Sequence, residues 1–134
     1  MTTASPAVQQ LVADRLDLSE DDSVLEIGLG AGPPLPRLPW RDEQFTHVCA
    51  VNSDPSWREP LRDLGEVRRV LAEDGQLLLA LRMRDPGAAS LDAAGLREHD
   101  VQRVRALLRR AGFRDVKSER HGVGQRVTCV LARR

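Results

Sequence analysis

The residues with the clearest chemical character are one glutamate and three glycines near the start of the chain. Glu26 lies within the apolar run 24–27, and Gly28, Gly30 and Gly32 follow at alternate positions. The run predicts a buried parallel strand, in which a carboxylate costs free energy unless a partner satisfies it. The glycines allow a sharp turn and a close approach of the backbone to a ligand. Open α/β sheets bind nucleotide-like ligands at such turns, so this turn is the leading candidate for a binding site.

The run 24–32, Val-Leu-Glu-Ile-Gly-Leu-Gly-Ala-Gly, resembles motif I of the class I S-adenosylmethionine (SAM)-dependent methyltransferases. Residues 45–52 resemble the fourth strand of that family, and 61–79 are similar to the next helix and the fifth strand. Ala-Gly-Phe at 111–113 is similar to the turn before the last two strands. The resemblance implies a Rossmann-like α/β domain over 1–134, with SAM as cofactor and a small molecule as ligand. The expected sheet has about five mostly parallel strands with helices on its faces.

The resemblance ends after Gly32. Four prolines within 33–39 remove backbone donors and prevent a regular helix where the family has one. A βαβ unit needs roughly 30 residues, and the segment between Gly32 and Phe45 has no room for one. We therefore expect a shortened fold that lacks the family's second and third strands. The expected strand order is one, four, five and then the last two exchanged, with the final strand antiparallel.

The spacing of apolar residues predicts the remaining elements. Helices are expected over 6–17, 59–72 and about 101–111, and strands over 23–28, 45–52, 76–83, 114–120 and 125–132. Asp74 and Gly75 are expected to end the second helix and turn the chain. His47 lies early in its strand, far from the end where ligands bind, which favours a structural role.

Further candidates for a site follow the strand at 45–52. In the family's strand order this strand neighbours motif I, so Asn52 and Ser53 are expected to contact the cofactor. Asp54 and Trp57 lie in a loop that the family uses against substrate, and Trp57 either lines a pocket or caps a patch of the core. The family binds the ribose hydroxyls through an acid at the end of its second strand. Because that strand is absent, no residue can be assigned this role, and Asp42 lies in the wrong part of the motif.

The remaining polar residues form no recognisable catalytic pattern. His99 and His121 have no motif around them and are expected to be solvated. Cys49 and Cys129 fall within predicted strands as small buried hydrophobes, and they lack the spacing of metal ligands. The sequence thus identifies no catalytic acid, base or nucleophile and no metal site.

Composition narrows the classes of partner. Lys and Arg together number 20, as do Asp and Glu, so the formal net charge is zero and bulk charge favours neither nucleic acid nor a membrane. Two Trp, two Phe and no Tyr give little surface for stacking on bases. No apolar run is long enough to span a bilayer, and the first residues do not form a leader, so we expect a cytoplasmic protein.

Two functions remain open at this point. The first is a small SAM-dependent methyltransferase that acts on an unknown small molecule, because in-line placement of the reactants supplies much of the rate. The second is a non-catalytic, methyltransferase-like partner or small-molecule-binding protein that has lost methyl transfer. The intact glycines favour the first, and the missing acids for ribose and adenine favour the second.

Loss of the second strand also predicts an oligomer. Residues 24–28 would then form an edge of the sheet without Lys, Pro or a bulge to protect it. The missing helices would uncover apolar surface beside this edge. Either a partner chain or the loop at 33–40 could cover it, but prolines donate no ladder hydrogen bonds. We therefore expect a homodimer.

Overall fold

The computed structural model describes residues 5–30, 35–51, 57–85 and 95–134. These ranges contain three helices, α1 (Pro6–Leu16), α2 (Pro60–Val70) and α3 (Glu98–Arg110), and five strands, β1 (Val24–Glu26), β2 (Phe45–Val51), β3 (Leu71–Arg82), β4 (Arg114–Gly122) and β5 (Arg126–Arg133). None of the helices in the described part of the chain has the length and apolar character needed to cross a bilayer.

The five strands form one mixed sheet in the order β1-β2-β3-β5-β4. The first three strands are parallel, and β5 runs antiparallel to both β3 and β4. The predicted strand order and the antiparallel last strand are therefore confirmed. β1 lies at an edge, as expected for a sheet without the family's second and third strands.

Helix α1 covers one face of the sheet. Pro6 occupies its first turn, and the side chain of Ser5 accepts a hydrogen bond from the backbone N–H of Val8 at 3.4 Å. Its buried residues are Val8, Leu11, Val12 and Leu16, which share a cluster with Cys49, Leu78, Cys129 and Leu131. Cys49 and Cys129 are 5% and 0% exposed, so their prediction as buried hydrophobes is confirmed. Burial raises the pKa of each thiol to about 11.

Helices α2 and α3 cover the opposite face. Their fully buried residues are Leu64, Val67 and Val70 on α2 and Val101, Val104 and Leu108 on α3. These side chains share a core with Val48, Leu77, Leu79 and Val130 of the sheet. The protein therefore has three layers, and the central strands β3 and β5 are buried on both faces over most of their length.

The passage from α2 to β3 differs from the prediction. The helix ends at Val70, and Asp74 and Gly75 lie within the strand instead of ending the helix. Asp74 has a φ of 61°, and a Cβ at Gly75 would lie 2.7 Å from the carbonyl oxygen of Ala72. The pairing with β2 also shifts here, since β3 contains more residues than β2 over this stretch. These turn-favouring residues thus form a bulge in the strand.

The proline-rich segment is held by one side of α2. Asp63 Oδ1 accepts a hydrogen bond from the backbone N–H of Leu35 at 3.0 Å, and Glu66 Oε1 accepts one from Leu38 at 2.7 Å. Residues 35–38 form no helix, as the prolines within 33–39 predict. Carboxylates three residues apart on α2 therefore replace the backbone partners that a helix would have supplied.

Arg69, one turn further along α2, completes this contact. Its guanidinium donates to Glu66 at 2.6 Å and Asp42 at 2.8 Å, and to the carbonyl oxygens of Leu38 at 3.1 Å and Trp40 at 2.9 Å. The hydrogen bond from Arg69 and the one from the Leu38 N–H hold the pKa of the Glu66 carboxyl below its usual range. We call Asp63, Glu66 and Arg69 the α2 clamp.

Candidate functional site

A glycine turn follows β1, as the sequence predicts. Beyond the end of the strand, the backbone N–H of Ile27 still donates to the carbonyl oxygen of Cys49 at 3.0 Å. Gly30 then has a φ of 119°, a conformation that a β-branched residue adopts only with strain. The fold therefore requires glycine at this position. Gly32 lies outside the described residues.

Gly28 differs from Gly30 because the fold does not require glycine at position 28. Its φ is not in the left-handed region, and a Cβ built there would meet no atom within 4 Å. The residue is also exposed. The backbone of Gly28 thus borders open space at the carboxyl end of β1, and a ligand can approach it closely.

The structure overturns the expected burial of Glu26. Its side chain is exposed, and only Leu25 of the three β1 residues is buried. The reason is that β1 is the edge strand, so the face that carries Glu26 lacks the cover that further strands and helices would give it. The carboxylate therefore avoids the desolvation cost that the apolar run suggested. It lies two residues before Gly28, within reach of a ligand at the turn.

Trp57 lies in the core and carries an unsatisfied donor. The residue is 5% exposed and shares a core cluster with Leu25, Leu29 and Leu38, so the indole packs as a core cap. Its Nε1 is buried and has no hydrogen-bond partner among the described residues. Unpaired buried donors are uncommon in proteins, and this one shares its cluster with Leu29 of the glycine turn. Asn52, Ser53 and Asp54 lie outside the described residues.

The segment after the turn offers no acid for a ribose. No Asp or Glu occurs between Ile27 and Arg41. The next acid, Asp42, is 2.8 Å from the Arg69 guanidinium and belongs to the contact with α2. The expectation that Asp42 is not a ligand to the nucleoside is thus consistent with its position.

A cavity of about 640 Å³ opens at the carboxyl end of β3. Its charged and titratable lining residues are Arg84, Arg97, Glu98, Arg120, His121 and Arg126, and its apolar ones include Met83, Leu96 and Val127. Because β1, β2 and β3 are parallel, this cavity and the glycine turn share one edge of the sheet. We call it the arginine cavity. Sequence reasoning did not identify it, since its residues come from four separate parts of the chain.

The three histidines occupy different environments. His47 lies near the start of β2, where its Nδ1 is 2.9 Å from Thr46 Oγ1 and 3.8 Å from Asp22 Oδ1, which supports the predicted structural role. His99 is exposed, as expected. His121 is half-buried instead of solvated, with Nε2 3.3 Å from an oxygen of Glu119.

No group of three or more potential metal ligands lies together within the four described ranges. Among the residues that the structure describes, the apolar patch expected beside the β1 edge is small. The large apolar side chains that are exposed in the described residues are Leu18, Val24 and Leu61, which lie on three different segments.

No family model and no curated protein matches this sequence. Solved structures do match. A SAM-dependent methyltransferase from Aquifex aeolicus is 23% identical with a TM-score of 0.54, over 72% of this chain and 50% of its own length. One from Thermotoga maritima is 19% identical with a TM-score of 0.58, over 95% of this chain and 88% of its own. The cyclase SpnF is 18% identical with a TM-score of 0.64, over 95% and 80%. The chain thus spans half of the first protein and most of the other two.

Proposed function

Since the chain has the fold of the SAM-dependent methyltransferases in a shortened form, we propose that it binds SAM at the glycine turn and acts on a small molecule. The observation that carries this proposal is the turn itself. Gly30 adopts a left-handed conformation at the carboxyl end of β1, and the exposed Gly28 beside it borders open space. Glu26 is exposed next to the turn. Gly32, Asn52 and Ser53 are proposed as further cofactor contacts, and Asp54 and Trp57 as substrate contacts, on the sequence alone.

Bound SAM would supply an activated methyl group to a nucleophile on the substrate. The protein's own task is then to orient the two reactants and to exclude water, for which no acid–base pair is needed. Gly28 and Glu26 are both exposed beside the glycine turn and border the space that the cofactor would occupy. These residues fit a positioning role, and no residue is proposed as a catalytic acid or base.

A second function, ligand binding without methyl transfer, is favoured by the missing acids. The segment from Ile27 to Arg41 contains none, and Arg69 engages Asp42. Each charge-assisted hydrogen bond contributes roughly 1.5–3 kcal/mol, so the loss of two weakens SAM binding by several powers of ten. The cyclase SpnF illustrates that a protein with this fold can carry a different named activity.

Calorimetric titration with SAM and S-adenosylhomocysteine tests the proposal. We expect a dissociation constant well above micromolar for the isolated chain, and no measurable binding after Gly30→Val. Gly124→Val is the matched control, because Gly124 also has a positive φ, of 79°, but lies in the turn between β4 and β5. Submicromolar binding by a monomer, or equal binding by the Gly30 variant, would contradict the proposed site.

We also propose that the protein is a homodimer in which the β1 edges of two copies pair. The edge has no strand beyond it in the described residues, and Val24 is 37% exposed. Residues 35–42 contact α2 instead, so they do not supply that strand. Two-fold antiparallel pairing centred on Leu25 would place Glu26 opposite Val24 and thus keep the two glutamates apart.

Light scattering at micromolar concentration tests the dimer. We expect the wild-type chain to be dimeric and Val24→Lys to be monomeric, because an edge lysine opposes strand pairing. Leu61→Lys, at an exposed residue of α2, should leave the dimer intact. A monomeric wild-type protein would end this idea.

A further inference from the structure

We infer that the arginine cavity binds the anionic group of a small molecule that also has an apolar body. One part of this inference, that the molecule is the methyl acceptor, rests on the proposed function. The charge of the lining is the first argument: four arginines face the cavity and one glutamate opposes them. A cleft lined mainly by one sign of charge concentrates ligands of the opposite sign. Guanidinium groups also form paired hydrogen bonds with carboxylates and phosphates.

The pairing of these arginines is the second argument. Arg120 lies 3.4 Å from a carboxylate oxygen of Glu98, so part of its charge is already engaged. The guanidinium groups of Arg97 and Arg126, in contrast, have no acidic partner within 4.0 Å among the residues that the structure describes. The two segments that flank the end of β3 thus each present an available cation to the same cavity. An anion between them would satisfy both.

The frame that carries these two arginines is fixed by backbone hydrogen bonds. The N–H of Leu96 donates to the carbonyl oxygen of Arg82 at 2.9 Å, and the N–H of Met83 donates to that of Arg126 at 2.9 Å. Gly95 has a φ of 120°, and a Cβ there would lie 2.6 Å from the backbone nitrogen of Arg84. The segment before α3 therefore packs directly on the end of β3. Such support lets a binding group keep its position before the ligand arrives.

The apolar part of the lining identifies the rest of the ligand. Met83, Leu96 and Val127 contribute apolar surface to the cavity. The cavity extends from the end of β3, two strands from β1, to the end of β4, four strands from β1, which corresponds to about 10 to 19 Å. A molecule with a ring and an acidic substituent could therefore bind its acid here and extend its other end toward the glycine turn.

Amide chemical shifts in solution test this inference with benzoate and phenyl phosphate as probes and benzyl alcohol as the neutral analogue. We expect both anions, or one of them, to shift the amides of Leu96 and Val127, and benzyl alcohol to leave them unchanged. Preference for benzoate would identify a carboxylate as the ligand group, and preference for phenyl phosphate would identify a phosphate. Binding should weaken about tenfold in Arg97→Gln and in Arg126→Gln, as expected for loss of one charge-assisted hydrogen bond.

Arg103→Gln is the matched control, because Arg103 is an exposed residue of α3 that does not line the cavity. Equal binding of benzyl alcohol, no shift at Leu96 and Val127, or the same loss in Arg103→Gln would overturn the inference. The result of the titration with SAM does not depend on the result of this chemical-shift experiment. Anion binding without SAM binding would contradict the proposed function alone, and SAM binding without anion binding would contradict only the arginine cavity.

Discussion

Arginine side chains have opposite roles in the α2 clamp and in the arginine cavity. Arg69 donates to two carboxylates and two carbonyl oxygens, and its side chain is 21% exposed. Arg97 and Arg126 have no acidic partner within 4.0 Å among the described residues, and both line the arginine cavity. The hydrogen-bonding capacity of the first arginine is used within the fold, and that of the other two is available to a ligand.

The charges of the clamp stabilise the protein, whereas those of the cavity are positioned for binding. The clamp joins α2 to a segment whose prolines prevent it from forming its own regular structure. Removing one partner there leaves the other charge partly buried without compensation. At the cavity, neighbouring positive charges repel each other, so the fold gains little from them. Charges that contribute little to the stability of the fold are therefore better explained by ligand binding.

The largest effect on stability is expected for Arg69→Met. This change leaves the Glu66 carboxylate, which is 17% exposed, without its main donor and also removes the partner of two carbonyl oxygens. We expect the free energy of unfolding in urea to fall by about 3 kcal/mol. Arg62→Met is the control, since Arg62 forms an exposed pair with Glu59 on the same helix and should cost about 0.5 kcal/mol or less. Equal losses in the two variants would refute the role of the clamp.

A smaller effect on the free energy of unfolding is expected when the Glu66 carboxylate of the clamp is protonated. The folded protein lowers the pKa of Glu66, chiefly through the hydrogen bond from Arg69. Its contribution to stability is therefore complete above the ordinary pKa of a glutamate and is lost as the pH falls through the lowered value. Glu66→Gln should reduce the free energy of unfolding by about 1–2 kcal/mol at pH 7.

The same variant should lose less stability than the wild type between about pH 5 and pH 3. Asp22, whose pKa is also lowered, mainly by a backbone hydrogen bond involving Ser19, contributes to the slope of both proteins. The difference between the two unfolding curves isolates Glu66. Glu20→Gln, at an exposed loop position, is the control and should follow the wild type. Parallel curves for Glu66→Gln and the wild type would contradict the expected linkage.

The strand order could be predicted because its causes are local in the sequence. Apolar runs such as 76–83 and the glycines after β1 indicate elements by themselves, and the prolines after Gly32 exclude a helix. The short distance from Gly32 to Phe45 then excludes two strands. Family resemblance supplied the order of what remained, and the sheet has that order.

The errors concern features that depend on neighbouring elements. Glu26 was expected to be buried because the residues beside it are apolar, but β1 is an edge strand and the side chain is exposed. Asp74 and Gly75 form a bulge in β3, which depends on how that strand pairs with β2. The arginine cavity forms from segments that only the folded chain brings together. An abundance of arginine is visible in the sequence, but its local pattern does not distinguish Arg69 from Arg126.

The smallest effect on stability is expected at the cavity. Because Arg97 and Arg126 have no acidic partner within 4.0 Å in the described residues, Arg97→Gln and Arg126→Gln should change the free energy of unfolding by less than about 0.5 kcal/mol. A slight gain is expected at low salt, where removal of one positive charge relieves repulsion, and it should vanish at 1 M salt. A loss comparable to that of Arg69→Met would show that these arginines support the fold. It would thus contradict the difference in role between the clamp and the cavity. If stability is retained while benzoate binding falls about tenfold, the cavity charges act on a ligand and not on the fold.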